Sequence, residues 1–134
     1  MENDVAEYGI LVTVRSAKDT YLFLDGTDRA RYMAIFIKML GRNAIGDARP
    51  LIAGLNSDTA QILFQNGYEE PLRLLVRMMH ASYASYRKAK NCPVQLARSA
   101  FDLIDGKKEV AGAVKSIRDK SDFICTIFDR EGEH

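Results

Sequence analysis

From Gly9 onward the chain opens with two short runs of β-branched, aromatic and other apolar residues, Gly9-Ile10-Leu11-Val12-Thr13-Val14 and Thr20-Tyr21-Leu22-Phe23-Leu24-Asp25. Such runs predict strands, and the intervening Arg15-Ser16-Ala17-Lys18-Asp19 suits the loop of a β-hairpin. Both runs are apolar on both faces near their middles. The hairpin is therefore expected to lie under helices on one side and under a further surface, such as a partner, on the other.

The spacing then becomes helical. Gly26-Thr27 opens a helix with Thr27 as N-cap and Asp28 in the first turn, where the helix dipole favours an anion. Ala30, Met33, Ala34, Ile37 and Leu40 recur every three or four residues, and Gly41 reads as a left-handed cap. A short helix is predicted from Asp47 to Ala53, with Pro50 in its first turn. Gly54-Leu55-Asn56 links it to another, capped by Ser57 or Asp58 and running to Gln65, where Asn66-Gly67 stops it. Glu69-Glu70-Pro71 begins the longest helix, expected to reach Lys90. Asn91-Cys92-Pro93 breaks it, and Pro93 starts a helix ending at Asp105-Gly106. Lys107 to Asp119 is the last helix. Residues 122–128 read as a third strand able to pair with the hairpin, although a continued helix also fits their pattern. The sum is an α+β fold: an N-terminal antiparallel hairpin, joined by a C-terminal strand, packed on a bundle of about five helices. Residues 1–134 form a single compact domain on this reading, with 1–7 and 129–134 as tails.

Composition fits that picture. The chain has 134 residues, 47% of them hydrophobic and 28% charged, as in a globular domain with a core of its own. No apolar run approaches the ~20 residues that cross a bilayer, and the N-terminus is acidic rather than leader-like. Cys92 and Cys125 lack a CxxC spacing and read as buried free thiols, which predicts a cytoplasmic location. Two histidines, His80 and His134, and two distant cysteines match no metal-site spacing, so neither metal nor cofactor is expected.

Charge adds the sharpest feature. Pro71 to Phe101 holds no acid but contains Arg73, Arg77, Arg87, Lys88, Lys90 and Arg98, in a chain of net charge +1. On the long helix, Leu72, Leu75, Met79, Tyr83 and Tyr86 share a core face. Arg73, Arg77, Ala84 and Lys88 share another, with Ala81 between, so small residues separate the cations and permit close approach. Polarised charge at low net charge suits oriented encounter with an acidic protein surface. The leading expectation is a non-enzymatic interaction or regulatory module that contacts its partner through Arg73, Arg77, Arg87 and Lys88, and that dimerises through the open hairpin edge. The alternative is nucleic-acid binding by the same helix, for which several clustered cations are the physical requirement.

Three short motifs bear on chemistry. Ile52 to Leu63, with Gly54-Leu55 followed by Thr59-Ala60 and Ile62-Leu63, resembles the helix-hairpin-helix motif of DNA-binding proteins. That resemblance implies a phosphate site at Gly54, Asn56 and Ser57, supported by Lys90 and Arg98. Asn56 stands where that family has its second glycine, and Asp58 where a basic residue is common. Arg73 and His80, on one helical face, resemble the Arg–His signature of HEPN ribonucleases, which implies an RNA-cleaving site built from paired helices. Asp25-Gly26-Thr27 resembles the loop of haloacid-dehalogenase-type phosphatases, but Phe23 occupies the position of the nucleophilic aspartate.

Overall fold

The computed structural model describes residues 8–126 and 128. Its elements in chain order are β1 (Tyr8–Arg15), α1 (Gly26–Arg42), β2 (Arg49–Leu55), β3 (Thr59–Gln65), α2 (Glu69–Ala89), β4 (Ala100–Asp105), α3 (Lys107–Lys120) and β5 (Phe123–Cys125). The strands form one sheet in the order β4-β1-β3-β2-β5, antiparallel throughout. The expected hairpin on about five helices is thus overturned: the described residues hold three helices and a five-stranded sheet.

Each replaced element has a physical reason. Residues 20–25 are apolar enough for a strand but form none, because their backbone is bound elsewhere. The Leu22 and Phe23 amides donate to Ser57 O at 2.9 and 3.1 Å, while Arg87 takes the Leu22 carbonyl at 2.7 Å. Leu22 and Phe23 then plug the core as an irregular segment. β1 pairs instead with β3 on one side and β4 on the other, so the hairpin edge expected to dimerise does not exist.

The two short helices expected over 47–53 and 57–65 are strands β2 and β3, joined by a tight turn. Their residues alternate between the two sheet faces. Ala53, Leu55, Ala60, Ile62 and Phe64 point toward α1 and α2, whereas Ile52 and Leu63 point toward α3. The helix expected from Pro93 to Asp105 is an irregular segment, bridged to Ser16 at Leu96, followed by β4. The expected strand over 122–128 shortens to β5, which pairs with β2 rather than with β1; Ile127 and the two expected tails lie outside the described residues.

The three helices overlap stretches expected to be helical, with altered ends, but α1 buries Tyr32, Met33, Ile35, Phe36, Met39 and Leu40, whereas Ala30 and Ala34 of the expected stripe are exposed and Ile37 is only half-buried. α1 is capped by Asp25, whose carboxylate accepts from the Asp28 amide at 3.0 Å, so Thr27 is not the cap. It runs through Gly41 and closes at Asn43, whose side-chain amide donates to Met39 O. Asn66 and Gly67 both adopt positive φ (60° and 90°), and a Cβ at Gly67 would run into Ala48, so this turn into α2 calls for glycine.

The result is three layers. α1 and α2 cover one sheet face, burying Tyr32, Phe36, Leu72, Leu75, Met79 and Tyr83 against Ile10, Val12, Val14 and Ile62. Phe23, Tyr32 and Tyr83 meet edge to face with ring centroids 5.2–6.0 Å apart, an arrangement that aligns ring edges with ring faces. α3 crosses the opposite face through Val110 and Ile117, over Ile52 and Leu63.

Candidate functional site

α2 carries most of the residues singled out by the charge pattern. Its inward face is the predicted one: Leu72, Leu75, Met79 and Tyr83 are wholly buried and Tyr86 packs at the margin. Its outward side presents Arg73, Leu74, Arg77, Met78, Ala81, Ser85 and Lys88 to solvent.

The cations divide by how they are used. Arg73 donates through Nε to Glu69, one turn earlier, and its guanidinium lies 4.5 Å from the centroid of the Phe101 ring on β4. That contact sets one flank of α2 beside the sheet edge. Arg77, one turn further on, is exposed, as are Lys88 and Arg98, and none of the three has a hydrogen bond or ion pair among the described residues.

Arg87, expected as a partner contact, is instead 3% exposed. Its Nε donates to Cys92 O at 2.7 Å and its Nη1 to Leu22 O at 2.7 Å, with the Tyr83 hydroxyl at 3.3 Å. The guanidinium thereby ties α2 to two irregular segments, and it is a structural group. A buried cation of this kind survives because its donors are matched by carbonyls.

Lys90, expected at a nucleic-acid site, is also engaged. Its Nζ lies 2.8 Å from Oδ1 of Asp28, which has no exposed surface. Asp28 also accepts from the Tyr86 hydroxyl at 2.7 Å and from the Leu24 amide at 2.9 Å. Burial by itself would raise the Asp28 carboxyl; the bonds from Lys90, Leu24 and Tyr86 outweigh it and hold the group below its ordinary value. The same bond to Asp28 raises the Lys90 ammonium. This cluster ties α1 to the end of α2.

The helix-hairpin-helix reading is overturned. Gly54, Asn56 and Ser57 lie at the end of β2 and in the β2–β3 turn, where no helix offers free amides to a phosphate. The Ser57 carbonyl is taken by Leu22 and Phe23, and Asn56 Oδ1 accepts from the Asp122 amide at 2.8 Å. Gly54 serves packing: a Cβ there would overlap the Ser121 and Ile117 side chains at the end of α3. His80 and Arg73 do not assemble as a ribonuclease pair either. Arg73 is held by Glu69 and Phe101, whereas His80 Nε2 is buried without a partner and its imidazole is pushed down to about 4 by burial.

What remains is a flank of α2 facing the sheet edge, with Arg73 and Arg77 on the helix, Arg98 leading into β4, and Phe101 beneath Arg73. Below it lies an open cavity of about 750 Å³ lined by Tyr8, Ile10, Tyr68, Leu103, Asp105 and Lys107, among others. Tyr68 is 75% exposed and Leu103 66%. Sequence reading missed Phe101, half-buried beneath Arg73, and the exposed Tyr68 and Leu103. It had placed Phe101 and Leu103 on a helix, and their meeting with α2 depends on pairing β4 with β1, a contact without local trace.

No protein-family model matches the chain, and no curated protein does. Among solved structures, a REP-associated tyrosine transposase bound to a REP hairpin superposes with a TM-score of 0.64 at 12% identity, covering 87% of this chain and 68% of that one. At that identity the likeness is one of fold.

Proposed function

We propose that the chain binds structured nucleic acid, a stem-loop in particular, through the flank of α2 that faces β4. The observation that carries this reading is the set of exposed cations Arg77, Lys88 and Arg98, none with a hydrogen bond or ion pair among the described residues, together with Arg73 stacked on Phe101. Unpaired guanidinium and ammonium groups are what a phosphate backbone recruits, and planar Arg groups engage phosphate bidentately. Arg77 and Lys88 are separated by about 16 Å along the helix axis, a span of several phosphates. The shared fold of a protein solved bound to a REP hairpin supports the same reading.

The test is fluorescence anisotropy with a labelled DNA or RNA hairpin over a range of salt. Binding is expected at low salt, weakening as salt rises. The Arg77→Ala/Arg98→Ala variant should flatten the log–log slope by about 2, near one for each phosphate no longer neutralised. Its stability should be unchanged, since neither side chain holds the fold together. Absence of binding at about 50 mM salt, well below the range where such contacts are screened out, would refute the proposal.

A second reading, an acidic protein partner on the outward face of α2, is favoured by one specific observation. Leu74 and Met78 are 48% and 36% exposed between the cations, and apolar side chains add little to phosphate binding. Leu74→Ser/Met78→Ser leaves hairpin affinity intact on the first reading and removes partner binding on the second. Among the described residues no helix is long and apolar enough to cross a membrane.

A further inference from the structure

The outward face of α2 is self-complementary in a way that neither reading above requires. Leu74, Met78, Ala81 and Ser85 are all exposed and follow one another at spacings of four, three and four residues, the spacing of a helix–helix seam. Two are large and apolar and two are small, with the large pair toward the N-terminus and the small pair toward the C-terminus. In an antiparallel pairing about a two-fold axis between positions 79 and 80, Leu74 of one copy faces Ser85 of the other, and Met78 faces Ala81. Every large residue then meets a small one, which lets the helix axes approach to about 8 Å. A helical serine can turn its hydroxyl onto the carbonyl four residues back, so Ser85 need not bring a bare polar group to the seam.

Charge follows the same symmetry. Glu70 and Lys88 are exposed, flank the seam at opposite ends, and have no hydrogen bond or ion pair among the described residues. The same axis sets Glu70 of each copy against Lys88 of the other. The two Arg77 side chains share that flank, about 7.5 Å apart along the axis, and reach outward into solvent. A parallel pairing would instead bring Glu70 level with Glu70 and Lys88 with Lys88, and no opposite charges would meet.

We propose that α2 is the interface of an antiparallel homodimer with this register. A two-fold interface uses one patch twice, so it demands the inverted order of size and charge seen along this helix. Arg73, stacked on Phe101, lies to one side of the seam, so pairing engages Lys88 but leaves the Arg73–Phe101 side open and sets two of these on one assembly. The inference stands independently of nucleic-acid binding, because its test contains none. A single helix face is smaller than the roughly 1,200 Å² of a stable interface, so dissociation in the micromolar range or weaker is expected.

Sedimentation equilibrium of the full chain, from low micromolar to millimolar concentration, reads the result. Wild type is expected to shift from monomer to dimer. Glu70→Lys and Lys88→Glu should each weaken association at least several-fold, and the Glu70→Lys/Lys88→Glu double variant should restore it, since the exchanged charges meet again. Met78→Glu should abolish pairing while circular dichroism and thermal melting stay as in wild type. A chain monomeric at every concentration overturns the proposal. So does a dimer indifferent to the single charge reversals, or one that the double variant fails to restore.

Discussion

His80 offers a prediction that can be worked through in numbers. Its Nε2 is buried with no hydrogen-bond partner among the described residues, and burial lowers the imidazole from 6.5 to about 4. The folded state therefore resists a proton that the unfolded chain accepts. A folded value below the unfolded one means that stability is fully present above pH 6.5 and is lost as pH falls toward 4. At pH 5 the unfolded chain is almost wholly protonated at this site and the folded chain about one-tenth, which costs about 2 kcal/mol; the full loss below pH 4 is about 3 kcal/mol. For a domain of this size each kcal/mol moves the melting temperature by roughly 3–5 °C, so the pH 5 effect is about 6–10 °C. The assay is thermal unfolding of wild type and His80→Leu at steps between pH 7.5 and 4.5. Wild type should lose stability across this window relative to the variant, with the gap opening below pH 6.5. Asp28 does not confuse the comparison, because its carboxyl is held below 3.8. Two melting curves that fall in parallel would refute the reasoning, as would a His80 NMR titration midpoint near 6.5.

Two further substitutions test the account of the fold. Gly54→Ala forces a methyl group into the Ser121 and Ile117 side chains, and should cost about 2 kcal/mol in urea unfolding, the range for an overpacked core; an unchanged midpoint would mean that α3 does not approach β2 this closely. Arg87→Met keeps much of the side-chain volume but strands the Cys92 carbonyl and leaves the Leu22 carbonyl with the Tyr83 hydroxyl alone, and should lose about 2 kcal/mol, whereas Arg77→Ala should stay within about 0.5 kcal/mol. Equal effects at the two arginines would contradict the division between structural and exposed cations.

The helices were legible because each announces itself locally. α2 has acids at its start, a proline in the first turn and a five-residue core stripe, of which the structure buries Leu72, Leu75, Met79 and Tyr83 and leaves Tyr86 half-buried at the margin. The strands were less so. Leu51 to Leu55 and Ala60 to Phe64 are short, almost wholly buried runs with few β-branched residues, a pattern that helix and strand share. Ser57 and Asp58, which suit a helix cap, suit a hairpin turn equally well. For 20–25 the bonds that hold Leu22 and Phe23 out of a strand come from Ser57 and Arg87, both distant in sequence, and leave no local signal. The candidate site divides likewise. Arg73, Arg77 and Lys88 were visible as a helical face, but the role of Arg87 depends on burial, and nothing near it in sequence marks it apart from its neighbours. Phe101 becomes part of the site only when β4 is laid against β1.

The strand order also says something about how the protein comes into being. β1 is made first, yet its neighbours are β3 and β4, with Tyr8 paired to Asp105 and Thr13 to Ala100. During synthesis the β2–β3 hairpin and α2 can assemble from sequence-local contacts while β1 still lacks one side of its pairing. That strand, with the run Ile10-Leu11-Val12-Thr13-Val14, waits with a bare edge until residue 105 has left the ribosome, a delay of several seconds at about 5–20 residues per second. Over that interval the bare edge is open to pairing with other chains, and truncation before β4 should send the protein to aggregates.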